Sequence, residues 1–443
     1  MKDRDPSSLN HGSNLAIDPD RLWDSLMETA AFGATAKGGI CRLTLSDEDR
    51  MVRDWFRSRA QAIGCTVTID DMGNMFARRE GLRSDIPPIA MGSHLDTQPT
   101  GGKFDGVLGV LAALEALHTL QDSGYRTVAP IEAINFTNEE GSRFAPAMLA
   151  SGVFAGVFQR DWAVARTDRD GMSFATALDA IGYRGSQPCG DHPLSAYFEL
   201  HIEQGPILER DGIDIGVVTG IQGIRWFEAT LTGQEAHTGA TPMTMRKNAL
   251  LGAARMIERI NAIALQHAPH AVATVGLLEV KPNSRNVVPA EVFFTIDVRH
   301  PDTAILDAIE NGIQSDFNAA MMENGLTGRL IRIWHNPPIA FDADCISSVR
   351  KAATAAGVSA HDIISGAGHD AGFIMRSAPS AMIFVPCKGG ISHNEEEFST
   401  TEQCGKGAQV LLESVLDYDR RLAEGYRGSK PADGPPLAQQ SEH

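Results

Sequence analysis

One segment near residue 100 decides the fold, and it is Gly92-Ser93-His94-Leu95-Asp96-Thr97-Gln98-Pro99-Thr100-Gly101-Gly102-Lys103-Phe104-Asp105-Gly106. The apolar run before it, residues 86–91, is typical of the end of a buried strand. The small and aliphatic residues after it, 107–117, are typical of a buried helix. Open α/β sheets place their ligand sites at such strand-to-helix connections. The segment therefore predicts an α/β fold with a ligand site at this point.

The pair His94 and Asp96 has a chemical use in that position. A histidine that binds a metal ion through one ring nitrogen usually donates its other N–H to a carboxylate. Asp105 follows a glycine-rich turn that can fold back tightly, so its carboxylate is placed to reach the same ion or to bridge two ions. The same pattern also fits an ordinary polar strand end and loop. A metal site needs several converging ligands, so the hypothesis requires further candidates.

Three other predicted strands supply such candidates at their carboxyl ends. They are Glu139 and Glu140 after residues 128–136, His201 within residues 197–203, and His393 after residues 381–386. Taken alone, each has an ordinary explanation, such as a solvated acidic turn or a structural histidine. Four strand ends with the same ligand chemistry together favour a metal centre.

The collected ligand candidates are His94, Asp105, Glu140, His201 and His393. Nitrogen and carboxylate donors without thiolates suit Zn²⁺, Mn²⁺ or Co²⁺. Five ligands with one bridging carboxylate suit two ions about 3.5 Å apart, which together hold a hydroxide nucleophile. Adjacent residues of an extended segment point in opposite directions, so one of Glu139 and Glu140 can bind metal while the other faces the substrate. A free glutamate beside the candidate ligand Glu140 is a natural general base. Glu139 is therefore the predicted general base.

The composition sets outer limits on the function. At 443 residues the chain exceeds the size of a single core, so we expect two domains. A net charge of −17 argues against a nucleic-acid partner or an anionic membrane surface. The six cysteines are scattered, which predicts neither a disulfide framework nor a thiolate zinc site. The polar start lacks the apolar core of a secretion signal, and we therefore expect a cytoplasmic protein.

The pattern changes between residues 220 and 335, which we predict to be an inserted domain. Its predicted elements are strands at 224–232, 272–278, 292–298 and 328–334, with helices at 244–265 and 302–322. That order, β-α-β-β-α-β, is the ferredoxin-like arrangement. Residues 15–219 and 336–425 would then form the two parts of the α/β domain, with flexible tails at 1–14 and 426–443.

Several motifs carry a resemblance to the dinuclear metallo-amidohydrolases related to aminoacylase and the zinc carboxypeptidases. They are residues 92–97 (Gly-Ser-His-Leu-Asp-Thr), 138–141 (Asn-Glu-Glu-Gly) and 391–395 (Ile-Ser-His-Asn-Glu). The fuller segments 97–106, 201–206 and 366–371 are similar to the hydantoinase/carbamoylase branch. That branch comprises N-carbamoyl-L-amino-acid hydrolases, β-ureidopropionases and allantoate amidohydrolases. The resemblance covers residues 22–422 and implies a metallopeptidase-like central-sheet domain with an inserted dimerisation domain.

The resemblance also implies individual roles. His94, Asp105 and His201 would hold one metal ion, and Asp105, Glu140 and His393 the other, with Asp96 behind His94. Glu139 would be the general base, and His237 would donate to the developing oxyanion. The implied substrate-binding residues are Gln222, His237, Asn286, Arg299, Gly366 and Ala367, of which Arg299 would pair with the substrate carboxylate. Taken alone, Arg299 and His237 also fit a strand surface charge and a turn residue.

The resemblance implies hydrolysis of an N-carbamoyl-amino acid or N-carbamoyl-β-alanine to amino acid, CO₂ and ammonia. The alternatives are an allantoate amidohydrolase or, more remotely, an aminoacylase or dipeptidase. A binding protein on a decayed scaffold is disfavoured, because Glu139 and all five ligand candidates are present. The branch further implies a homodimer in which His237 reaches the metal ions of the other subunit.

Overall fold

The computed structural model describes residues 15–426, and these form two compact units. Within that range the first unit comprises residues 15–219, 341–363 and 368–426, and the second comprises residues 220–340 and 364–367. The predicted tails at 1–14 and 426–443 lie outside the described residues, except for Tyr426. That residue is anchored, because its ring lies 5.8 Å from the ring of Tyr418 and 4.2 Å from the guanidinium of Arg421. Tyr426, which was predicted to lie in the tail, therefore packs against the last helix of the first unit.

The first part of the first unit alternates helices and strands. Its elements are α1 (Pro19–Thr29), α2 (Asp47–Ala62), β1 (Thr66–Ile69), β2 (Met75–Arg79), β3 (Ile89–His94), α3 (Val107–Asp122), β4 (Ile131–Phe136), α4 (Leu149–Phe154), α5 (Arg160–Val164), α6 (Phe174–Ala180), β5 (Ala196–Ile202), α7 (Ile207–Asp211) and β6 (Ile215–Ile221). Helix α3 is buried on nearly all sides, as its small and aliphatic sequence predicts.

The second unit follows, with a different element order. Its elements are β7 (Gly223–Thr232), β8 (Ala236–His237), a 3₁₀ turn (Met243–Met245), α8 (Ala249–Gln266), β9 (Val272–Thr274), β10 (Leu278–Lys281), β11 (Val287–Val288), β12 (Glu291–His300), α9 (Thr303–Asn324), β13 (Thr327–Asn336) and β14 (Ile339–Ala340). The prediction of a single strand over 272–278 is wrong. The structure has two short strands there, β9 and β10, and both pair with β12.

The chain then completes the first unit. The remaining elements are α10 (Ala343–Ala356), β15 (Ala360–Ser365), α11 (Asp370–Ile374), β16 (Ser380–Val385), a 3₁₀ turn (Lys388–Gly390) and α12 (Thr401–Ala423). Helix α12 begins with a capping box. The side chain of Thr400 accepts the N–H of Gln403, and the side chain of Gln403 accepts the N–H of Thr400. These reciprocal bonds fix where the last helix starts.

The central sheet of the first unit determines where its loops meet. Its strand order is β1-β2-β4-β3-β5-β16-β6, with β15 beside β6. Neighbours within β4-β3-β5-β16 are parallel, and all four strands are buried along their whole length. Their carboxyl ends therefore lie at one edge of the sheet. Loops that follow these strands can converge there.

The second unit is a sheet with helices on one face. The strand order is β10-β12-β7-β13, with β9 also beside β12. Burial alternates strictly along β12 and nearly so along β7, which indicates one core face and one exposed face. The core-facing residues pack with α8 and α9 in a single apolar cluster. Among residues 15–426, no helix combines the length and hydropathy that crossing a bilayer requires.

Candidate metal centre and substrate groups

Five of the predicted metal-centre residues lie at the carboxyl ends of the first unit's parallel strands. His94 is the last residue of β3, and His201 is the last but one of β5. Glu139 and Glu140 follow β4 closely, and His393 lies in the loop after β16. The order of the strands therefore brings these five side chains together from distant parts of the sequence.

Two groups of side chains each offer three ligand atoms within 4.8 Å of one another, and Asp105 belongs to both. In the first group, Oδ1 of Asp105 lies 3.8 Å from Nε2 of His94 and 3.1 Å from Nε2 of His201. In the second group, Nε2 of His393 lies 3.4 Å from Oδ2 of Asp105 and 3.5 Å from Oε2 of Glu140. Each carboxylate oxygen of Asp105 thus faces a different group.

These separations fit the ligand shells of small divalent cations. Bonds of about 2.0–2.2 Å from one ion to imidazole nitrogen and carboxylate oxygen place neighbouring ligands roughly 3–3.5 Å apart. The donors in both groups are nitrogen and oxygen atoms only, which suits Zn²⁺, Mn²⁺ or Co²⁺. The five side chains therefore fit two cations that share Asp105.

The two buried histidines are oriented by main-chain carbonyl groups. Nδ1 of His94 donates to the carbonyl oxygen of Asp96 at 2.9 Å, and Nδ1 of His201 donates to that of Ile202 at 2.9 Å. Both rings consequently direct Nε2 towards Asp105. Burial lowers the pKa of His94 to about 4, so its ring is neutral at pH 7. Burial alone would also lower the pKa of His201, but the hydrogen bond and charge of Asp105 raise it to about 9.

Asp96 has a different contact from the one its sequence position predicts. Its Oδ1 lies 3.9 Å from Nδ1 of His94, beyond hydrogen-bonding distance, and its carbonyl group accepts that N–H instead. The Asp96 carboxylate accepts the backbone N–H groups of Glu139 and Glu140 at 3.2 and 3.3 Å. Asp96 therefore supports His94 through its main chain and fixes the Glu139-Glu140 turn through its side chain.

The candidate centre carries more buried negative charge than its own side chains neutralise. Burial first, and then the charges of Asp370, Glu140 and Asp105, raise the pKa of Glu139 well above its usual value. The pKa of Glu140 is raised in the same way by burial and by Asp105 and Asp96. Carboxylates in such a cluster are stabilised by cations, and this unmet charge is a second reason why the residues fit divalent metal ions.

Glu397 is a buried residue of the centre that the sequence analysis missed. Its Oε1 accepts the backbone N–H groups of Phe104 and Asp105, each at 3.0 Å. The hydroxyl of Ser392 lies 3.0 Å from Oε2 of Glu397 and 3.0 Å from Oδ2 of Asp105. A Cβ atom on Gly102 would lie 2.1 Å from Oε1 of Glu397, so this contact requires glycine there. Glu397 therefore connects the Asp105 loop to the loop that carries His393.

Two further contacts shape the Asp105 loop. Nε2 of Gln204 donates to Oδ2 of Asp105 at 2.9 Å. A Cβ atom on Gly106, which has a φ of +66°, would lie 2.2 Å from the ring of His94, so glycine allows the loop to pass over the imidazole.

The sequence contains one signal for Glu397, which is its position in the acidic run after His393. Acidic runs are usually solvated, so this signal was weak.

A third group of potential ligands lies beside the first two. It consists of Glu199, His201 and His369. Oε1 of Glu199 accepts the hydroxyl of Ser93 at 2.7 Å, and Oε2 accepts the N–H of Ala371 at 2.9 Å. This group shares His201 with the first group and does not contain Asp105.

The predicted carboxylate-binding arginine lies on the exposed face of the second unit's sheet. Nη1 of Arg299 donates to the carbonyl oxygen of Gly366 at 2.8 Å, and Nη2 donates to Oδ2 of Asp297 at 2.9 Å. Nε also donates to Asp297, at 3.2 Å. A guanidinium has five N–H donors, so one N–H on each terminal nitrogen is not used by an acceptor among the described residues. The remaining two donors suit a carboxylate ligand.

The other predicted substrate-binding residues of the second unit lie at two separate places. His237 and Asn286 meet where β8 pairs with β11, and the N–H of Thr238 donates to the carbonyl oxygen of Asn286 at 3.2 Å. His237 is the last residue of the short strand β8, and a turn follows it directly. The N–H of Gln222 donates to the carbonyl oxygen of Ser365 at 2.9 Å, next to Gly366 and Ala367.

His237 is held in one tautomer. Its Nδ1 accepts the N–H groups of Gly239 and Ala240 at 3.0 and 3.2 Å. The proton of the neutral ring is consequently on Nε2, and the side chain is exposed. His237 can therefore donate a hydrogen bond to a group outside its own loop.

The chain is similar to known proteins along most of its length. The profile of peptidase family M20/M25/M40 matches residues 90–417. The N-carbamoyl-L-amino-acid amidohydrolase of Rhizobium meliloti is 49% identical over 406 residues, covering 92% of this chain and 98% of that protein. The allantoate amidohydrolase of Bacillus subtilis is 34% identical, covering 88% and 96%. The crystal structure of a hydantoinase/carbamoylase-family amidase from Burkholderia multivorans has a TM-score of 0.90 and 52% identity, covering 91% and 98%. The similarity thus extends well beyond the metal-centre motifs.

Proposed function

The chain belongs to peptidase family M20/M25/M40, and we propose that it is a metal-dependent amidohydrolase of linear ureido acids. The family resemblance expected from the motifs is confirmed. The observation that carries the proposal is the pair of ligand groups that share Asp105. The reaction is hydrolysis of the C–N bond of an N-carbamoyl-L-amino acid or N-carbamoyl-β-alanine, giving amino acid, CO₂ and ammonia.

The proposed ligands of one divalent cation are His94, Asp105 and His201, and those of the other are Asp105, Glu140 and His393. The nitrogen and oxygen donors and the unmet buried charge support this assignment for Zn²⁺, Mn²⁺ or Co²⁺. Bound there, two cations would activate a water molecule and polarise the carbonyl group of the substrate.

Glu139 is the proposed general base. Its Oε2 lies 3.5 Å from Nε2 of His94, and it belongs to neither ligand group. Asp96 holds its backbone at 3.2 Å, which keeps the carboxylate beside the centre. Glu139 would take a proton from the attacking water and deliver it to the leaving nitrogen.

The second unit supplies the proposed substrate contacts. Arg299 pairs with the substrate carboxylate through the donors that Asp297 and Gly366 leave available. His237 donates from Nε2 to the developing oxyanion, which its tautomer allows. Gln222, Asn286, Gly366 and Ala367 complete the set proposed from the motifs.

We further propose that the second unit, residues 220–335 in the sequence prediction, is a ferredoxin-like dimerisation domain. Strand β10 is an edge of its sheet within the described residues, and unpaired edges are templates for pairing with another chain. Large exposed apolar side chains support an interface on this unit, among them Met243 (73% exposed), Met245 (71%) and Leu265 (67%). In the proposed dimer, His237 acts at the other subunit's metal centre.

The cytoplasm is the proposed compartment. All six cysteines lie within the described residues and are free thiols, and free thiols persist in a reducing environment.

A substrate panel tests the proposed function. Ammonia release is measured with N-carbamoyl-L-amino acids, their D-enantiomers, N-carbamoyl-β-alanine and allantoate, each with added Mn²⁺, Co²⁺ or Zn²⁺. We expect turnover of the L-carbamoyl compounds, because the Rhizobium meliloti relative carries that activity in its name. Turnover of allantoate alone would favour the alternative activity of the Bacillus subtilis relative. Turnover of none would contradict the proposal.

A further inference from the structure

The exposed face of the second unit's sheet carries more than Arg299. Trp226 in β7 pairs directly with Asp297 in β12 and with Trp334 in β13, so these three side chains lie on one face. The Trp226 and Trp334 rings lie 6.2 Å apart, and Trp226 is 43% exposed. The neighbouring residue Arg225 is buried against Asp307 and Glu310 on α9, which confirms that Trp226 points away from the helices.

Arg299 has apolar neighbours on this face in addition to its ion-pair partner Asp297. It pairs with Ile224 in β7 and with Val272 in β9, and Val272 is 50% exposed. Residues two apart in a strand share a face about 6.8 Å apart, and adjacent strands lie about 4.8 Å apart. Trp226 therefore lies on the strand next to that of Arg299, two residues along β7 from Ile224, the residue opposite Arg299. A cation that has unused donors and apolar side chains beside it suits an amphipathic anion.

We propose that Trp226 and Trp334 bind the side chain of the substrate and make the enzyme selective for ureido acids with a large apolar side chain. The proposal rests on the proposed function, because it takes Arg299 as the carboxylate-binding residue. In an α-amino acid the carboxylate and the side chain leave the same carbon atom. With the carboxylate on Arg299, a phenylalanine or leucine side chain reaches the tryptophan pair, whereas glycine and β-alanine derivatives have nothing to place there.

The tryptophan pair contributes through buried apolar area and ring contact. Loss of either ring should therefore weaken the binding of a large apolar substrate and leave a small one unaffected. Allantoate, whose substituents are polar ureido groups, gains nothing from the pair. The enzyme should therefore bind N-carbamoyl-L-amino acids with large apolar side chains more tightly than the other candidate substrates.

The test compares N-carbamoyl-L-phenylalanine, N-carbamoyl-L-leucine and N-carbamoylglycine as substrates of Trp226→Ala and Trp334→Ala. We expect kcat/KM for the phenylalanine and leucine compounds to fall about tenfold or more, mainly through KM, with the glycine compound unchanged. Trp226→Phe should retain most of the preference. Met322→Ala is the matched control, because Met322 is 79% exposed on α9, away from this face.

Three results would overturn the proposal. Equal losses on all substrates would indicate a structural role, and unchanged kcat/KM would show that the rings contact no substrate. A change in the molar mass of the oligomer, measured for the variants by light scattering, would identify the face as a subunit interface. If the alanine variants do not fold, kcat/KM is compared in the wild-type protein and Trp226→Phe. Equal values for the phenylalanine and glycine compounds would contradict the proposal. No ammonia from any compound would overturn the proposed function as well, whereas turnover without preference would overturn this inference alone.

Discussion

Oε2 of Glu139 lies 3.5 Å from Nε2 of His94, beside the candidate ligands and outside both ligand groups. We therefore predict that Glu139→Gln retains both metal ions and loses about 10²–10⁴-fold in kcat, the usual scale of general acid–base catalysis. Metal analysis and steady-state kinetics of the same preparation measure both effects. Glu140→Gln is the contrasting variant and should lose metal. A Glu139→Gln enzyme with nearly normal kcat would place the base elsewhere.

His393 tests the second ligand group with little risk to the fold, because its side chain is 52% exposed. His393→Ala should remain folded and contain about one metal ion per subunit where the wild type contains two. His118→Ala is a suitable control, since His118 is a partly exposed residue of α3 that faces Asp122. Equal metal content in His393→Ala and the wild type would remove His393 from the centre.

Glu397 should influence metal binding without contacting a metal ion. Removal of its carboxylate leaves the N–H groups of Phe104 and Asp105 without their acceptor and frees the loop that carries Asp105. Glu397→Ala should therefore weaken metal binding by about 10–100-fold, the usual effect of losing a residue that supports a ligand. Competition with a fluorescent chelator measures the change. Glu397→Gln should recover part of the affinity, because its amide oxygen still accepts a backbone hydrogen bond.

The neighbour Glu396 provides the control for that experiment, because its side chain is exposed. Glu396→Ala should bind metal as the wild type does. If Glu396→Ala and Glu397→Ala weaken binding equally, local charge and not the support of Asp105 is responsible.

The convergence of the candidate ligands was predictable because their chemistry repeats at successive strand ends. His94, His201 and His393 each lie at or after an apolar run, and parallel strands bring such ends together. The hydrogen bonds that hold the candidate ligands in place were less predictable. Glu397 contacts residues far away in sequence, and Asp96 uses its carbonyl group where its carboxylate was expected. Those contacts depend on how loops fold in three dimensions, which no local pattern encodes.

Some helices and strands were likewise predictable from the sequence, and others were not. Strands with clear alternation and helices with clear caps, such as β12 and α9, were located closely. Strand β6 was missed because Gly216 and Gly220 weaken its apolar pattern. Gly220 is needed there, since a Cβ atom would lie 2.2 Å from the carbonyl oxygen of Ile339. The short strand β8 was missed because a two-residue strand has no periodicity to detect.

The proposed exchange of His237 between subunits makes a quantitative prediction. Glu139→Gln and His237→Ala are each inactive as homodimers in this account. In a heterodimer one site carries both substitutions and the other carries neither. After random exchange about half of the dimers are heterodimers, so activity should rise towards roughly a quarter of the wild-type value. No recovery, with exchange shown by native mass spectrometry, would place His237 in its own subunit's site or outside catalysis.

Ammonia release from N-carbamoyl-L-phenylalanine by metal-free and reconstituted protein tests the central claim most directly. The protein is dialysed against a chelator, assayed, and assayed again after two equivalents of Mn²⁺, Co²⁺ or Zn²⁺ are added. The two ligand groups around Asp105 predict no turnover without metal and recovery with at least one of these ions. Glu139→Gln treated in the same way should bind the metal and remain nearly inactive. Undiminished ammonia release by the metal-free wild-type protein would contradict the account.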